Sequence, residues 1–239
     1  IKEMKKSQII VKKIKDFLQE TNSHGVIKIY GDVCLKNNDL YNYYILMERA
    51  ERNLEKELIV RSNTFQFYSE EDISNVLCQL ILTLAQMQKK HIVHRDIKPQ
   101  NILIIEGLYK ICDFGEALIF DNNEDEGSMV QNVCGSKLYM SPAIFFSLKN
   151  KCKKVKHNVY KSDVFSLGLC ILLCATLNYD SICQIREETD MKEIRNVVMY
   201  FLSERYSYSF ISFLLTMLEI NEIKRPDFIQ LESLLFKIK

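Results

Sequence analysis

Apolar residues recur at roughly helical spacing near the front of the chain: Ile9, Ile10, Val11, Ile14, Phe17 and Leu18 stand in a Lys-rich background. The pattern predicts a helix within residues 1–20, ended by the breaker cluster Thr21-Asn22-Ser23-His24-Gly25. Two short apolar runs follow, Val26–Gly31 and Leu40–Glu48, with Lys36-Asn37-Asn38-Asp39 between them, a hairpin signal. Beyond them helix dominates. Ser69 with Asp72 three positions on predicts an N-terminal cap. Ile73, Val76, Leu77, Leu80, Ile81, Leu84 and Met87 then form a stripe of period 3.6. β-prone runs lie at Ile102–Ile105 and Tyr109–Cys112, and a polar acidic loop at Asp121–Gly127. Val164–Leu177 is apolar all round, which predicts a helix buried at the centre of a helical body, too short and too polar at Ser, Gly and Thr to span a bilayer. Phe210–Leu218 and Phe228–Leu235 are further amphipathic helices.

Composition narrows the class. The 239 residues are 47% hydrophobic and 26% charged, a globular balance sufficient for one large domain or two small lobes. Lys+Arg 32 against Asp+Glu 31 leaves a net charge of +1 and no electrostatic reason to expect nucleic acid or an anionic membrane as partner. The 8 Cys include no C-x-x-C pair and read as reduced thiols. With no secretory leader visible, the expectation is a cytoplasmic or nuclear protein.

The chemistry sits in five polar motifs. The first is His94-Arg95-Asp96-Ile97-Lys98-Pro99-Gln100-Asn101 and the second Asp113-Phe114-Gly115. Gly135-Ser136-Lys137-Leu138-Tyr139-Met140-Ser141-Pro142, Lys161-Ser162-Asp163-Val164-Phe165-Ser166-Leu167-Gly168 and Lys224-Arg225-Pro226 complete the set. In this order and spacing they resemble the signature of the eukaryotic protein kinase catalytic domain, Ser/Thr type, over residues 8–239. The resemblance implies an α+β, protein-kinase-like two-lobed fold with a truncated N-lobe and a mainly helical C-lobe. Residues 1–50 would be the N-lobe remnant: a helix C-like segment, the family's fourth and fifth strands and the start of the hinge. Residues 51–239 would be the C-lobe with catalytic loop, activation segment and helical core.

Phosphoryl transfer asks a protein mainly for positioning and charge neutralisation. Asp96 matches the aspartate that orients the attacking hydroxyl and accepts its proton. Lys98 would place a positive charge beside the transferring group, and Lys at this position resembles the Ser/Thr branch. Asn101 and Asp113 supply oxygen ligands suited to Mg²⁺. The implied partners are ATP and a protein substrate. Tyr44–Leu54 resembles the hinge: Met47 falls at the gatekeeper position, Glu48 and Ala50 would offer backbone groups to adenine, Asn53 would approach the ribose and Leu103 would lie beneath the ring. His94 and Phe114 match stacked spine residues, and Asp163 matches the helix aspartate that ties down the catalytic loop. Arg95 suggests control by an anion on the activation segment, Asp113–Pro142. Ser128, the only hydroxyl between Glu116 and Gly135, is the expected phosphosite, with Glu124, Asp125 and Glu126 as a built-in alternative.

Three departures stand out. No Gly precedes Gly25 and only 46 residues precede Met47, so the Gly-rich loop and strand Lys, roughly 30 residues by the family pattern, are absent. Ile1 rather than Met suggests a fragment or a processed chain, and Ile14 falls near the helix position where the family places Glu. Lost strands would expose an edge and apolar surface, predicting self-association or a covering partner. Second, Ala143 stands where the family has a Glu that pairs with Arg225, so Arg225 is expected to turn to Glu219 or Glu222 or to sit in a loosened corner. Third, the connection from Pro142 to Asp163 is long and carries Lys149, Lys151, Lys153, Lys154, Lys156 and Lys161, either a solvated loop or a docking patch for an acidic partner. The leading functions are an ATP- and Mg²⁺-dependent Ser/Thr protein kinase, or a pseudokinase acting as a binding or scaffolding module; a third, a small-molecule kinase of related fold, is disfavoured by Ser141-Pro142 and Arg225-Pro226, which resemble the peptide-substrate branch.

Overall fold

The computed structural model describes residues 2–37, 40–120 and 129–238. In chain order its elements are α1 (Lys2–Thr21), β1 (Ile29–Asn37), β2 (Leu40–Met47), β3 (Arg52–Asn53), α2 (Leu54–Thr64) and α3 (Glu70–Lys89). Then come β4 (Ile92–Val93), β5 (Ile102–Ile105), β6 (Leu108–Ile111), β7 (Leu118–Ile119), β8 (Met129–Asn132), α4 (Pro142–Lys149) and β9 (Lys154–His157). α5 (Val159–Thr176), α6 (Tyr179–Arg186), α7 (Met191–Leu202), α8 (Tyr208–Met217) and α9 (Phe228–Ile238) complete an α+β architecture in which helices form the bulk.

α1 follows the predicted spacing, starts early in the chain and buries Ile10, Val11, Ile14 and Phe17. The hairpin forms as well, with β1 and β2 antiparallel and Ile29 opposite Met47. Its first strand is shifted, however. Val26 and Ile27 stay outside the hairpin and are buried against β6: Val26 bridges Ile111, and the Ile27 N–H donates to the Ile111 carbonyl at 2.9 Å. Two β-branched side chains bury more apolar area there than on a two-stranded ribbon, and the backbone keeps its hydrogen bonds. Gly25 lets the chain pass α3 at close range, since a Cβ would stand 1.7 Å from the Thr83 Oγ1.

α3 is capped as its sequence predicts, with the Ser69 side chain accepting the Asp72 N–H at 3.0 Å. Ile73, Val76, Leu77, Leu80, Ile81 and Leu84 are all buried. α5 is capped by Asn158, which accepts the Lys161 N–H. Among the described residues it is the helix long and apolar enough to cross a bilayer, but 94% of it is buried, as befits a core helix. Cys170 and Cys174 pack inside it.

Arg225 is satisfied in a way the sequence does not suggest. It is 2% exposed, and its guanidinium donates to three main-chain carbonyls: Nε to Glu219 (2.6 Å), Nη1 to Lys161 (2.9 Å) and Nη2 to Ile220 (3.1 Å). It also faces the Phe165 ring, 4.9 Å from the centroid. The carboxylates of Glu219 and Glu222 instead accept the N–H groups of Asn221 and Asn158.

On the hairpin, Val33 and Leu35 of β1 and Tyr44 and Leu46 of β2 share one face, and all are exposed. Contiguous exposed apolar side chains on a ribbon with free edges favour association. Sedimentation of the 239-residue chain is expected to show concentration-dependent self-association, suppressed by Val33→Thr with Leu46→Lys. A monodisperse parent across the concentration range would remove the expectation.

Candidate active site

The loop His94–Asn101 is held from below by α5. Asp163, in its second turn, accepts the His94 N–H at 2.9 Å and the Arg95 N–H at 3.0 Å. These bonds hold Arg95 in the left-handed region (φ 69°) and direct the next residue outward. Burial pushes Asp163 up to about 7, against the pull of the two N–H donors. The buried His94 ring stacks edge-on against Phe114, centroids 5.3 Å apart, and its Nε2 lies 2.8 Å from the Cys112 carbonyl. Its Nδ1 accepts the Asp96 N–H, which assigns the proton to Nε2.

Asp96 is the hub. Its Oδ2 receives the Lys98 Nζ at 2.6 Å and the Asn101 Nδ2 at 3.1 Å, and its Oδ1 receives the Ser136 N–H at 2.8 Å. Lys98 also donates to the Ser136 Oγ at 2.8 Å. Burial works against the charge of Asp96, but the Lys98 ammonium and the Ser136 donors outweigh it and hold the carboxyl below the usual carboxylate range. Asp96 is therefore an ionised acceptor at neutral pH.

The β5–β6 hairpin sets Asn101 and Asp113 at the same end of one ladder. Ile102 stands opposite Ile111, and the Cys112 N–H donates to the Asn101 carbonyl at 3.0 Å, so the two residues flank the same end of the ladder. Asn101 gives its amide N–H₂ to the Asp96 carbonyl and carboxylate, so Oδ1 is the atom that could face a cation. Asp113 lies at φ 60°, beside the cavity described below. One carboxylate and one amide oxygen fit Mg²⁺, which fills its remaining positions with water and phosphate oxygens. Burial pushes the adjacent Cys112 thiol up to about 12, so it is no thiolate.

Of the residues expected around a nucleotide base, Met47 lines a cavity, whereas Glu48, Ala50, Asn53 and Leu103 lie outside its lining. Met47, Cys112, Asp113 and Phe114 line a volume of about 340 Å³ whose α1 wall is Ser7, Ile10, Val11 and Ile14. Glu48 donates its N–H to the Lys28 carbonyl at 3.0 Å. Its carboxylate is bound by Lys110 through both oxygens at 2.8 Å, a pairing that sequence reading missed. Lys110 stands opposite Leu103 on β5–β6, so Leu103 and Glu48 are brought together through it. Ala50 lies half-buried between β2 and β3. Asn53 serves the fold: its Oδ1 caps α2 through the Lys56 N–H at 3.0 Å, and its Nδ2 reaches the Gln100 carbonyl at 3.4 Å.

The activation segment is only partly described, and Ser128 lies outside the described residues with Glu124, Asp125 and Glu126. Arg95, expected to meet an anion, gives Nη2 to the Asn132 carbonyl at 2.9 Å. Gly135 is required by its backbone, at φ +100°, where a Cβ would stand 2.8 Å from the Arg95 carbonyl oxygen. The Lys-rich connection is not simply a loop, since it contains β9.

His157, at the end of β9, is 2% exposed, and burial lowers it to about 4 from its ordinary 6.5. Its folded form binds fewer protons than the unfolded form between those values, so its contribution is present above pH 6.5 and lost as pH falls towards 4. Asp163 acts in the opposite sense over the same window, and buried His94 in the same sense. The measure is therefore a difference: between pH 7 and pH 4 the parent should lose of order 3 kcal/mol more stability than His157→Gln. Parallel urea-derived stability curves for the two would exclude His157 as the source.

The protein kinase domain family matches residues 1–235, and the chain belongs to it. It is 29% identical to the serine/threonine-protein kinase cds1 of Schizosaccharomyces pombe over 214 residues, 88% of this chain and 44% of that protein. It is 30% identical to calcium-dependent protein kinase 6 of Plasmodium berghei over 223 residues, 90% of this chain and 14% of that protein. With the Aurora kinase of S. pombe the identity is 28% over 177 residues, 71% of this chain and 44% of that protein. The chain thus spans less than half the length of each of these relatives.

Proposed function

We propose that this chain is the core of a Ser/Thr protein kinase that transfers the γ-phosphate of ATP to a protein hydroxyl. The observation that carries the reading is the Asp96 carboxylate, ionised and held by Lys98, Asn101 and Ser136. Asp96 would orient the incoming hydroxyl and take its proton as the oxygen attacks. Lys98 would balance charge on the transferred group. Asn101 and Asp113 would hold Mg²⁺, which would supply neutralisation of the phosphate oxygens. Met47, the Glu48 carbonyl, Ala50 and Leu103 would form the nucleotide side, while the Asn53 side chain is engaged by the Lys56 N–H and the Gln100 carbonyl. Incubation with Mg²⁺, labelled ATP and a degenerate Ser/Thr/Tyr peptide library tests this: phosphoserine or phosphothreonine is expected, and phosphotyrosine alone would sink the class.

One observation favours the second reading, a pseudokinase. Among the described side chains, the α1 wall facing Asp113 is Ser7, Ile10, Val11 and Ile14, none of them a carboxylate that could pair with a phosphate-binding Lys. Nucleotide binding with and without Mg²⁺ separates the two. The kinase reading expects Mg²⁺-dependent binding that Asp113→Asn abolishes, whereas no binding under either condition supports the scaffold.

A further inference from the structure

β8 and β9 form a four-pair antiparallel ladder, from Met129 opposite His157 to Asn132 opposite Lys154. The Val133 N–H extends it to the Lys153 carbonyl at 3.0 Å. Antiparallel bonding alternates, so Val155 is the next β9 residue that bonds across, while the N–H groups of Lys154 and Lys156 point away from β8.

Both strands are fastened to the catalytic loop. On the β9 side, the buried His157 places Nδ1 2.7 Å from the Ser162 Oγ, next to Asp163, which holds the His94 and Arg95 N–H groups. On the β8 side, Arg95 itself grips the Asn132 carbonyl at 2.9 Å. Ser136, whose N–H and Oγ hold Asp96 and Lys98, follows Val133 closely. A residue advances an extended chain by about 3.3 Å, so a register slip in the ladder would carry Ser136 beyond hydrogen-bond reach of Asp96.

We propose that the strand Lys154–His157 positions the Asp96 carboxylate, by fixing through backbone pairing the segment that delivers Ser136 to Asp96 and Lys98. Val155 and Arg95 are then positioning residues. Neither needs to touch a substrate, and the lysines of β9 are carried on its outer side. The inference gives the kinase reading a further part and rests on it for its catalytic consequence.

The test is Val155→Pro in the full chain, read by residue-resolved amide exchange and by steady-state kinetics on a peptide substrate. Lys156→Pro, which removes an outward N–H, is the control. Val155→Pro is expected to speed exchange of the Ser136 amide at least tenfold and to lower kcat at least tenfold, with MgATP affinity within twofold of the parent. Lys156→Pro should keep Ser136 exchange within twofold. If the Gln131 amide opens in Val155→Pro while Ser136 stays protected, the proposal is overturned. If Val155→Pro also exposes α5 amides, Arg95→Met is read instead: the same tenfold change at Ser136 supports the proposal, and unchanged protection overturns it. A parent with no phosphoryl transfer would defeat the kinase reading, and the Ser136 amide would still decide the positioning claim.

Discussion

Asp96→Asn is expected to lower kcat by about 10²–10⁴-fold, the range lost when a general base is removed, with nucleotide affinity and melting temperature close to the parent's. Asn keeps an oxygen for the Ser136 N–H, so the local geometry survives, but it carries no charge for Lys98 and cannot accept a proton from a hydroxyl. The low position of the Asp96 carboxyl adds a second signature. The parent's kcat/KM should stay flat down through the ordinary carboxylate range, because the base remains ionised there. Peptide phosphorylation across pH, beside nucleotide titration of both proteins, makes the comparison. Half or more of the parent's kcat in Asp96→Asn would remove this residue from the proton-accepting role.

The largest stability effect is expected at Arg225. Arg225→Leu should cost of order 3–5 kcal/mol, because three buried carbonyls lose their donor at once. Burial lowers the guanidinium to about 10, which still leaves it charged at neutral pH. The companion variant Ala143→Glu, which restores the acid that the family resemblance implies, should not raise the melting temperature. The guanidinium is already bonded through Nε, Nη1 and Nη2, and a new carboxylate would be desolvated for no added partner. Urea and thermal unfolding of the three proteins give both numbers. A loss below about 1 kcal/mol in Arg225→Leu would mean that water replaces the guanidinium.

What the sequence exposes and what it hides divide along physical lines. α3 and α5 are legible because local periodicity and an apolar run each force a buried surface. The Asp96–Lys98–Asn101 cluster is legible through the resemblance of the whole motif set to the protein kinase signature, since each of these polar residues taken alone reads as a solvated loop position. β8 and β9 are not. Met-Val-Gln-Asn and Lys-Val-Lys-His are short, mixed in polarity and far apart in the chain, and each becomes a strand only by meeting the other. The Glu48–Lys110 pair is hidden for the same reason. The partners of Arg225 are main-chain oxygens, which every residue carries and no composition marks. Val26 and Ile27 are misplaced because an apolar run announces burial without saying against what.

The two ends of the β1–β2 hairpin are fastened to neighbouring positions of one strand. Ile27 bonds to Ile111, and Glu48 to Lys110, both on β6. With its remaining polar tie among the described residues the half-exposed Lys15–Asp32 pair to α1 at 3.5 Å, a body pinned at two adjacent points can swing about the line joining them far more readily than it can slide along it. Motion of the hairpin relative to the catalytic loop should therefore be a hinge rotation with its axis at the end of β6, next to Asp113. Any such swing would tilt Met47 and the Glu48 carbonyl while leaving Asn101 and Asp96, on the fixed side of that axis, where they are.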